Sequence, residues 1–328
     1  MKIRALLLSV VLGAAFLVAP AQAATQLSVG VAYDIGGRGD KSFNDASAAG
    51  LEKAQKQFDF KLDAVVTDGS SSDREKRIRS LITKNCNPII AIGAGYAATL
   101  QALAVEYPNT QFAIINDASV AALNVTSVVF ANTEGAYLAG FSAAQVSKSG
   151  KVAMIANADQ ADIYKDGFSA GVFASKKKVI PIVKYVSGSY SVATNQVLDA
   201  GADVVFVATQ GSDSEVFKAI VSRNAKKKGS NIGLINIEPD QYITVTSTTK
   251  KFLFASVVKR VDKAIYDVIA LSTTKKQYLD ILDADAGIYG RRYGITGGGI
   301  EFTIRSKELA RMSDLINVAA ATAEKISA

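Results

Sequence analysis

Apolar and polar positions follow two alternating patterns along nearly the whole chain after residue 24. Short apolar runs, typical of buried parallel strands, are each followed by a longer segment with apolar positions at helical spacing. The sequence predicts strands over runs such as Leu27–Tyr33, Pro88–Ile92 and Val204–Ala208. Strands separated by helices predict parallel sheets with helices on both faces.

The strand–helix pattern runs through the chain twice, which predicts two lobes rather than one. We expect an α/β fold of two Rossmann-like lobes with parallel sheets, joined by a hinge. The first lobe is predicted to comprise residues 24–130 plus 258–285, and the second 131–257 plus 286–328. In such open sheets, ligands bind outside the carboxyl ends of the strands.

The first 23 residues have the composition of an export signal. Lys2 and Arg4 precede the apolar run Ala5–Ala19, and Ala21–Ala23 forms an A-x-A cleavage site. We expect an exported protein, periplasmic, cell-surface or extracellular. No cysteine directly follows the apolar run, so no lipid attachment is expected there. An uncleaved signal acting as an anchor is the alternative.

The composition excludes several classes of site. The 328 residues include no histidine and one cysteine, Cys86, which rules out histidine bases, zinc sets and internal disulfides. No short segment gathers the carboxylates of a calcium loop, so we expect no metal and no cofactor. The net charge of +7 is spread thinly, and the short lysine runs Lys176–Lys178 and Lys226–Lys228 have no interleaved aromatic residues. We therefore expect no nucleic-acid partner.

The stretch most informative about function is GVAYDIGGRGDKSFNDASAAGL, residues 30–51. Its strand ends at Asp34, and a glycine-rich turn then leads to a helix. We expect Ser42 to cap that helix, with Asp45 completing a capping box. Phe43 and Asn44 then lie at the ligand-facing edge of the sheet.

The segment GGRGDKS is not a phosphate-binding loop, although it resembles one. Asp40 stands where such a loop has the lysine that follows its glycine. A carboxylate there opposes an anion at the helix N-terminus. The glycines are instead expected to form a turn that also contacts ligand.

Further polar and aromatic candidates follow other predicted strands. The carboxylates suit hydroxyl donors, the aromatic rings suit a flat base, and Lys259 follows a strand directly. Taken singly, each carboxylate could cap a helix and each ring could be core. The candidates are Asp117, Glu238, Lys259, Gly211, Phe168 and Phe217, beside Asp34, Phe43 and Asn44.

The chain resembles the basic membrane protein family of substrate-binding proteins, typified by purine nucleoside receptors of ABC importers. The motifs are DIGGRGDKSFN, IGAGY, FAIINDAS, FANTEGAYLAGFSAA, GFSAGV, NIEPDQ and SVVKRVDKAIYDVI. The resemblance implies a type I periplasmic-binding-protein fold that closes on a nucleoside, a permease partner in the membrane, a monomer and no enzymatic activity. It also implies that the base stacks on phenylalanine, while carboxylates and a lysine hold base and ribose. It carries over most directly to Asp34, Phe43, Asn44, Asp117, Glu238 and Lys259.

Two segments depart from the family pattern. Glu238 stands where the family tends to have aspartate, and ATQGSDSE replaces a glycine-rich A-G-G-x-G segment, bringing in Gln210 and Asp213.

From the predicted cleft and the resemblance together, we predict an ABC-importer receptor for a nucleoside, with a purine preferred. The alternatives are a receptor for a sugar or other small polar solute, a carboxylate-and-Ca²⁺ nucleoside hydrolase, and a surface antigen without a solute.

Overall fold

The computed structural model describes residues 26–158, 161–209, 213–226, 229–238, 241–274, 276 and 280–326. The predicted signal peptide lies outside these ranges. The strands within them are β1 (Leu27–Tyr33), β2 (Phe60–Val66), β3 (Ile89–Ile92), β4 (Phe112–Ile115), β5 (Val125–Phe130), β6 (Lys151–Asn157), β7 (Ile180–Val186), β8 (Val204–Ala208), β9 (Gly233–Glu238), β10 (Leu253–Lys259), β11 (Asp280–Asp283), β12 (Ile288–Tyr293) and β13 (Ile300–Ile304).

Helices connect most of these strands, as the alternating pattern predicts. They are α1 (Phe43–Gln55), α2 (Ser71–Thr83), α3 (Ala97–Glu106), α4 (Asn132–Val146), α5 (Ala161–Ala174), α6 (Tyr190–Asp199), α7 (Asp213–Lys226), α8 (Ser247–Lys250), α9 (Val261–Thr273), α10 (Lys307–Ala310) and α11 (Ser313–Ile326). Short 3₁₀ turns lie at Ala94–Tyr96 and Gln241–Ile243.

Two separate sheets confirm the predicted fold class. In the described residues the first sheet has the order β11-β12-β5-β4-β3-β1-β2, and the second β13-β10-β9-β8-β6-β7. Most neighbours are parallel, but β11 runs antiparallel to β12 and β13 antiparallel to β10. The two sheets are therefore mixed, mostly parallel, with antiparallel strands at these edges. The β11–β12 connection is too short for the crossover that parallel strands require.

The last exchange between the lobes comes later in the chain than expected. Residues 286–328 were expected in the second lobe, but β12 pairs in parallel with β5 of the first sheet. The crossing therefore lies between Tyr293 and Ile300. The other two crossings join β5 to α4 and β10 to α9. Hydrogen bonds link them, since Ala131 N donates to Tyr293 O at 2.9 Å and Arg260 N to Gly299 O at 2.9 Å.

Close helix packing explains two of the glycine-containing motifs in the second lobe. A Cβ added to Gly140 of α4 would lie 2.0 Å from the carbonyl oxygen of Phe168, and one added to Gly171 of α5 would lie 2.0 Å from that of Tyr137. These glycines let the α4 and α5 backbones touch. The segments EGAYLAG and GFSAGV therefore build the core of the lobe.

Candidate ligand-binding cleft

The loop between β1 and α1 is fixed by two carboxylates. Asp40 accepts hydrogen bonds from the backbone N–H groups of Ser42 (2.8 Å), Asn44 (3.0 Å) and Asp45 (3.1 Å). Asp45 reaches back to the N–H groups of Gly39 (2.7 Å) and Lys41 (2.9 Å). Ser42 holds the N-cap position, but its side chain makes no capping bond. The expected serine cap was wrong because a carboxylate, with its larger acceptor capacity, satisfies several orphan N–H groups at once.

Asn44 is a structural anchor of the same loop. Its side chain is buried, and Oδ1 accepts a hydrogen bond from Asp34 N at 3.0 Å. Nδ2 donates to the carbonyl oxygens of Asp34 and Ile35, both at 3.4 Å. The amide therefore joins the first turn of α1 to the end of β1, which holds Phe43 in place at the start of the helix.

Asp34 is oriented by an arginine that sequence reasoning missed. Arg74 of α2 donates from Nη2 to Asp34 Oδ1 at 2.9 Å and from Nη1 to Gly69 O at 2.6 Å. A Cβ on Gly93 would lie 3.0 Å from the Asp34 carboxylate, and one on Gly95 would lie 2.6 Å from the guanidinium. The IGAGY motif thus makes room for this ion pair at the strand ends.

Asp117 follows β4 in the same sheet. Its Oδ1 accepts hydrogen bonds from Ser119 N at 2.8 Å and Ser119 Oγ at 2.7 Å, and Asn116 before it has a left-handed φ of 66°. The turn fixes the direction of the Asp117 side chain. Asp34 and Asp117 therefore both lie at the carboxyl edge of the first sheet.

A buried lysine meets two aromatic rings from opposite lobes. Lys259 ends β10 and is 1% exposed. Its Nζ donates to the hydroxyl of Tyr164 at 3.1 Å and lies 5.6 Å from the ring centroid of Phe43, within the range of cation–π attraction. Phe43 belongs to the first lobe, whereas Lys259 and Tyr164 belong to the second. Tyr164 was not predicted, because one tyrosine early in a helix carries no distinctive signal.

Two buried acids complete this inner cluster. Glu238 ends β9, where its neighbour across the parallel pair is Val258, one residue before Lys259. It is 1% exposed, and Oε1 has no hydrogen-bond partner in the described part of the chain. Asp213, at the start of α7, accepts hydrogen bonds from Thr209 Oγ1 and from Gln241 Nε2, the latter at 2.5 Å.

The charges of the inner cluster influence one another. Burial raises the pKa of Glu238 to about 8, with Lys259 opposing the shift and Asp213 and Asp40 adding to it. Burial also raises the pKa of Asp213, against the hydrogen bonds from Thr209 and Gln241. For Lys259, burial alone lowers the pKa, but Tyr164, Glu238 and Asp213 outweigh it and the pKa lies above its ordinary value.

The three remaining predicted site residues, Phe168, Phe217 and Gly211, are not part of the inner cluster as the structure describes it. Phe168 is fully buried and stacks on Phe206 at 5.6 Å, so its described contact is with the core of the second lobe. Phe217 packs in that lobe and also lines the cavity between the lobes. Gly211 lies outside the described residues.

A cavity of about 460 Å³ opens beside the inner cluster, between the two lobes. That volume lies in the range of small-molecule sites. Its lining includes Asp40, Lys41 and Ser42 from the first lobe and Asp213, Phe217 and Gln241 from the second. Across the described ranges we find no group of three or more acidic, cysteine or histidine side chains placed to hold a metal ion.

Comparison with known proteins identifies the architecture. The family model of PnrA-like ABC transporter substrate-binding proteins, Bmp, matches residues 27–325. The chain belongs to this family. It is 27% identical over 262 residues to the "ABC transporter nucleoside-binding protein BmpA" of Lactococcus lactis, covering 74% of each chain. It is 29% identical over 229 residues to "Basic membrane protein A1" of Borrelia garinii, covering 64% of this chain and 65% of that one.

A solved structure agrees with the fold. The chain superposes on an ABC transporter solute-binding protein from Aeropyrum pernix with a TM-score of 0.67 and 22% identity, covering 91% of this chain and 86% of that one. Membership of the Bmp family, shown by the family model, makes this protein a substrate-binding protein of an ABC transporter and not an enzyme. It works with membrane transporter components and a small-molecule ligand, and such proteins of importers act outside the cytoplasm. Among the described helices, none has the length and apolarity to cross a membrane.

Proposed function

We propose that this Bmp protein binds a nucleoside between its lobes and presents it to the permease of an ABC importer. The observation that carries the proposal is the inner cluster, which joins an aromatic face, a buried ammonium and a buried carboxyl. The ring of Phe43 offers a stacking surface for a base, and Oε1 of Glu238 lacks a partner within the described chain. Ribose hydroxyls are donors that suit such an oxygen.

The two sheets suggest a division of the ligand between the lobes. Asp34 and Asp117, oriented by Arg74 and Ser119, suit the donor edge of a base. Glu238 and Lys259 supply an acceptor and a donor for the ribose. The printed name of the Lactococcus relative, a nucleoside-binding protein, supports this ligand class.

Ligand binding favours a closed arrangement of the two lobes. The three crossings of the chain form the hinge, and Phe43 with Lys259 come from opposite sides of it. A ligand that contacts both sides stabilises closure by its differential affinity for the closed form. We propose that a single chain, acting as a monomer, is then recognised by the permease.

A thermal-shift screen of the mature protein tests the ligand class. Circular dichroism is the readout, because the chain has no tryptophan. The panel contains purine and pyrimidine nucleosides, free bases, ribose and hexoses. A ligand at 100 times its Kd adds about 2.7 kcal/mol of stability, which raises the Tm by a few degrees.

The pattern of shifts separates the candidate functions. We expect a shift with nucleosides and none with ribose. A shift with a sugar and none with any nucleoside would replace the proposal with a sugar receptor. Release of free base during incubation with a nucleoside would instead indicate hydrolysis. No shift across the panel would contradict nucleoside binding.

A further inference from the structure

Asp213 occupies a junction between the inner cluster and the interlobe cavity. It is 3% exposed, lines that cavity, and is close enough to Glu238 and Lys259 to influence the charge of both. Asp213 is the first residue of α7, so its carboxylate stands at the start of a helix that faces the cavity.

The hydrogen bonds of Asp213 identify it as an acceptor. Thr209 Oγ1 donates to one carboxylate oxygen and Gln241 Nε2 to the other. An ionised carboxylate has about four acceptor positions, so further positions remain for a ligand group in the cavity. Four residues along α7, on the same helix face, Phe217 adds a flat apolar wall to the same cavity.

Lysines that line the cavity favour an anionic ligand, whereas Asp213 favours a ligand that donates hydrogen bonds. The burial of each side chain decides which preference is stronger. Lys41 and Lys218 also line the cavity, but both are exposed. Water and salt screen exposed charges much more strongly than buried ones. Near the inner end, the buried acid that lines the cavity is Asp213, whereas the buried ammonium of Lys259 is hydrogen-bonded to Tyr164 and is not part of the lining. A phosphate group there would meet the carboxylate of Asp213.

We propose that Asp213 is a specificity-determining residue of the cleft. It accepts hydrogen bonds from a hydroxyl or amino group of the bound molecule and excludes phosphate from the inner end of the cavity. This inference rests on the proposed nucleoside function. It adds the residue that separates a nucleoside from its phosphorylated forms.

The experiment compares Asp213→Asn with the wild-type protein. Affinities are measured by titration calorimetry for adenosine, guanosine, cytidine and uridine, and for the 5′- and 3′-monophosphates of each. Asn keeps the shape of the side chain and removes its charge. Asp203→Asn is the matched control, because Asp203 lies before the other end of β8 and accepts hydrogen bonds from Ser147, Lys148 and Ser149.

We expect the wild-type preference for nucleoside over monophosphate to fall by about tenfold to a hundredfold in Asp213→Asn, as removal of a nearby buried charge implies. Asp203→Asn should keep the wild-type preference. Asp213→Ser, which also removes the charge, replaces Asp213→Asn if that variant fails to fold by circular dichroism.

The other outcomes separate this inference from the proposed function. An unchanged preference in folded Asp213→Asn and Asp213→Ser would overturn the role of Asp213 and leave nucleoside binding intact. Wild-type binding of a monophosphate as tight as that of its nucleoside would also overturn it, and would make the cavity a phosphate subsite. Wild-type protein that binds none of these compounds would overturn both proposals.

Discussion

The buried carboxyl of Glu238 makes the stability of the ligand-free protein depend on pH in a defined direction. Burial raises its pKa from an ordinary value of 4.5 to about 8. Between these two values the unfolded chain has lost the proton while the folded protein still holds it. The contribution of the Glu238 proton to the free energy of unfolding is therefore complete below about pH 4.5 and is lost as pH rises through about 8.

The size of this effect follows from the same two values. At about 1.4 kcal/mol for each pH unit between them, the free energy of unfolding loses up to about 5 kcal/mol across the interval. Glu238→Gln removes the titrating group and leaves a neutral side chain of the same length. The variant's stability relative to wild type should therefore increase steadily from pH 5 to pH 8 and level off above that.

Urea unfolding monitored by far-UV circular dichroism at pH 5, 6, 7, 8 and 9 measures this difference. A constant offset between the variants reports packing, so the slope with pH is the diagnostic quantity. Glu52→Gln is the control, because Glu52 is 54% exposed on α1 and pairs with Arg38. Profiles of Glu238→Gln and wild type that stay parallel across this range would refute the reasoning about Glu238.

Three substitutions test the first lobe's part of the site by titration calorimetry. Phe43→Ala should weaken nucleoside binding by about 1–3 kcal/mol, the usual worth of base–aromatic stacking, and an unchanged affinity would remove Phe43 from the site. Asp117→Ala should weaken binding of nucleoside and free base alike, whereas a loss confined to the nucleoside would assign Asp117 to the ribose. Arg74→Gln should lower the affinity for the nucleoside about tenfold, because it releases the carboxylate of Asp34. Arg77→Gln, which breaks an ion pair within α2, should leave that affinity unchanged. Equal effects of the two substitutions would refute the role of Arg74 in orienting Asp34.

Hydrophobic periodicity predicted the fold well because it reports burial directly. Continuous apolar runs such as Ile89–Ile92 became fully buried central strands, and each helix on the sheet faces carries an apolar side. Short elements give a much weaker signal. β11 is largely exposed and α8 is a single turn, so neither has the length or apolar pattern that distinguishes an element from a loop.

The third hinge crossing was misplaced for a related reason. The segment containing β12 and β13 is extended and glycine-rich throughout, and nothing local indicates which sheet an extended segment joins. The pairing of β12 with β5 is decided by contacts between residues far apart in the chain. Sequence pattern alone therefore locates the strands but not their partners.

The predicted site shows the same limit at the level of single side chains. Position at the end of a strand singled out Glu238 and Lys259, and the structure brings the two into one buried cluster, while their contact with a ligand stays a prediction. It could not reveal Arg74, whose partner Asp34 lies 40 residues away on another element. It also could not show that Asn44 bonds backbone groups, because that depends on the path of the loop.

The hydrogen bonds of the acidic side chains separate those that hold the fold from one with an unpartnered oxygen. Asp40 and Asp45 are committed to backbone N–H groups of their own loop. Glu238 is equally close to a strand end, but no backbone donor reaches its Oε1 among the described residues. A buried polar atom without a partner costs about 1–3 kcal/mol. Under the proposed function, a ligand that donates a hydrogen bond to Glu238 removes this cost, so binding at Glu238 would favour the ligand-bound form.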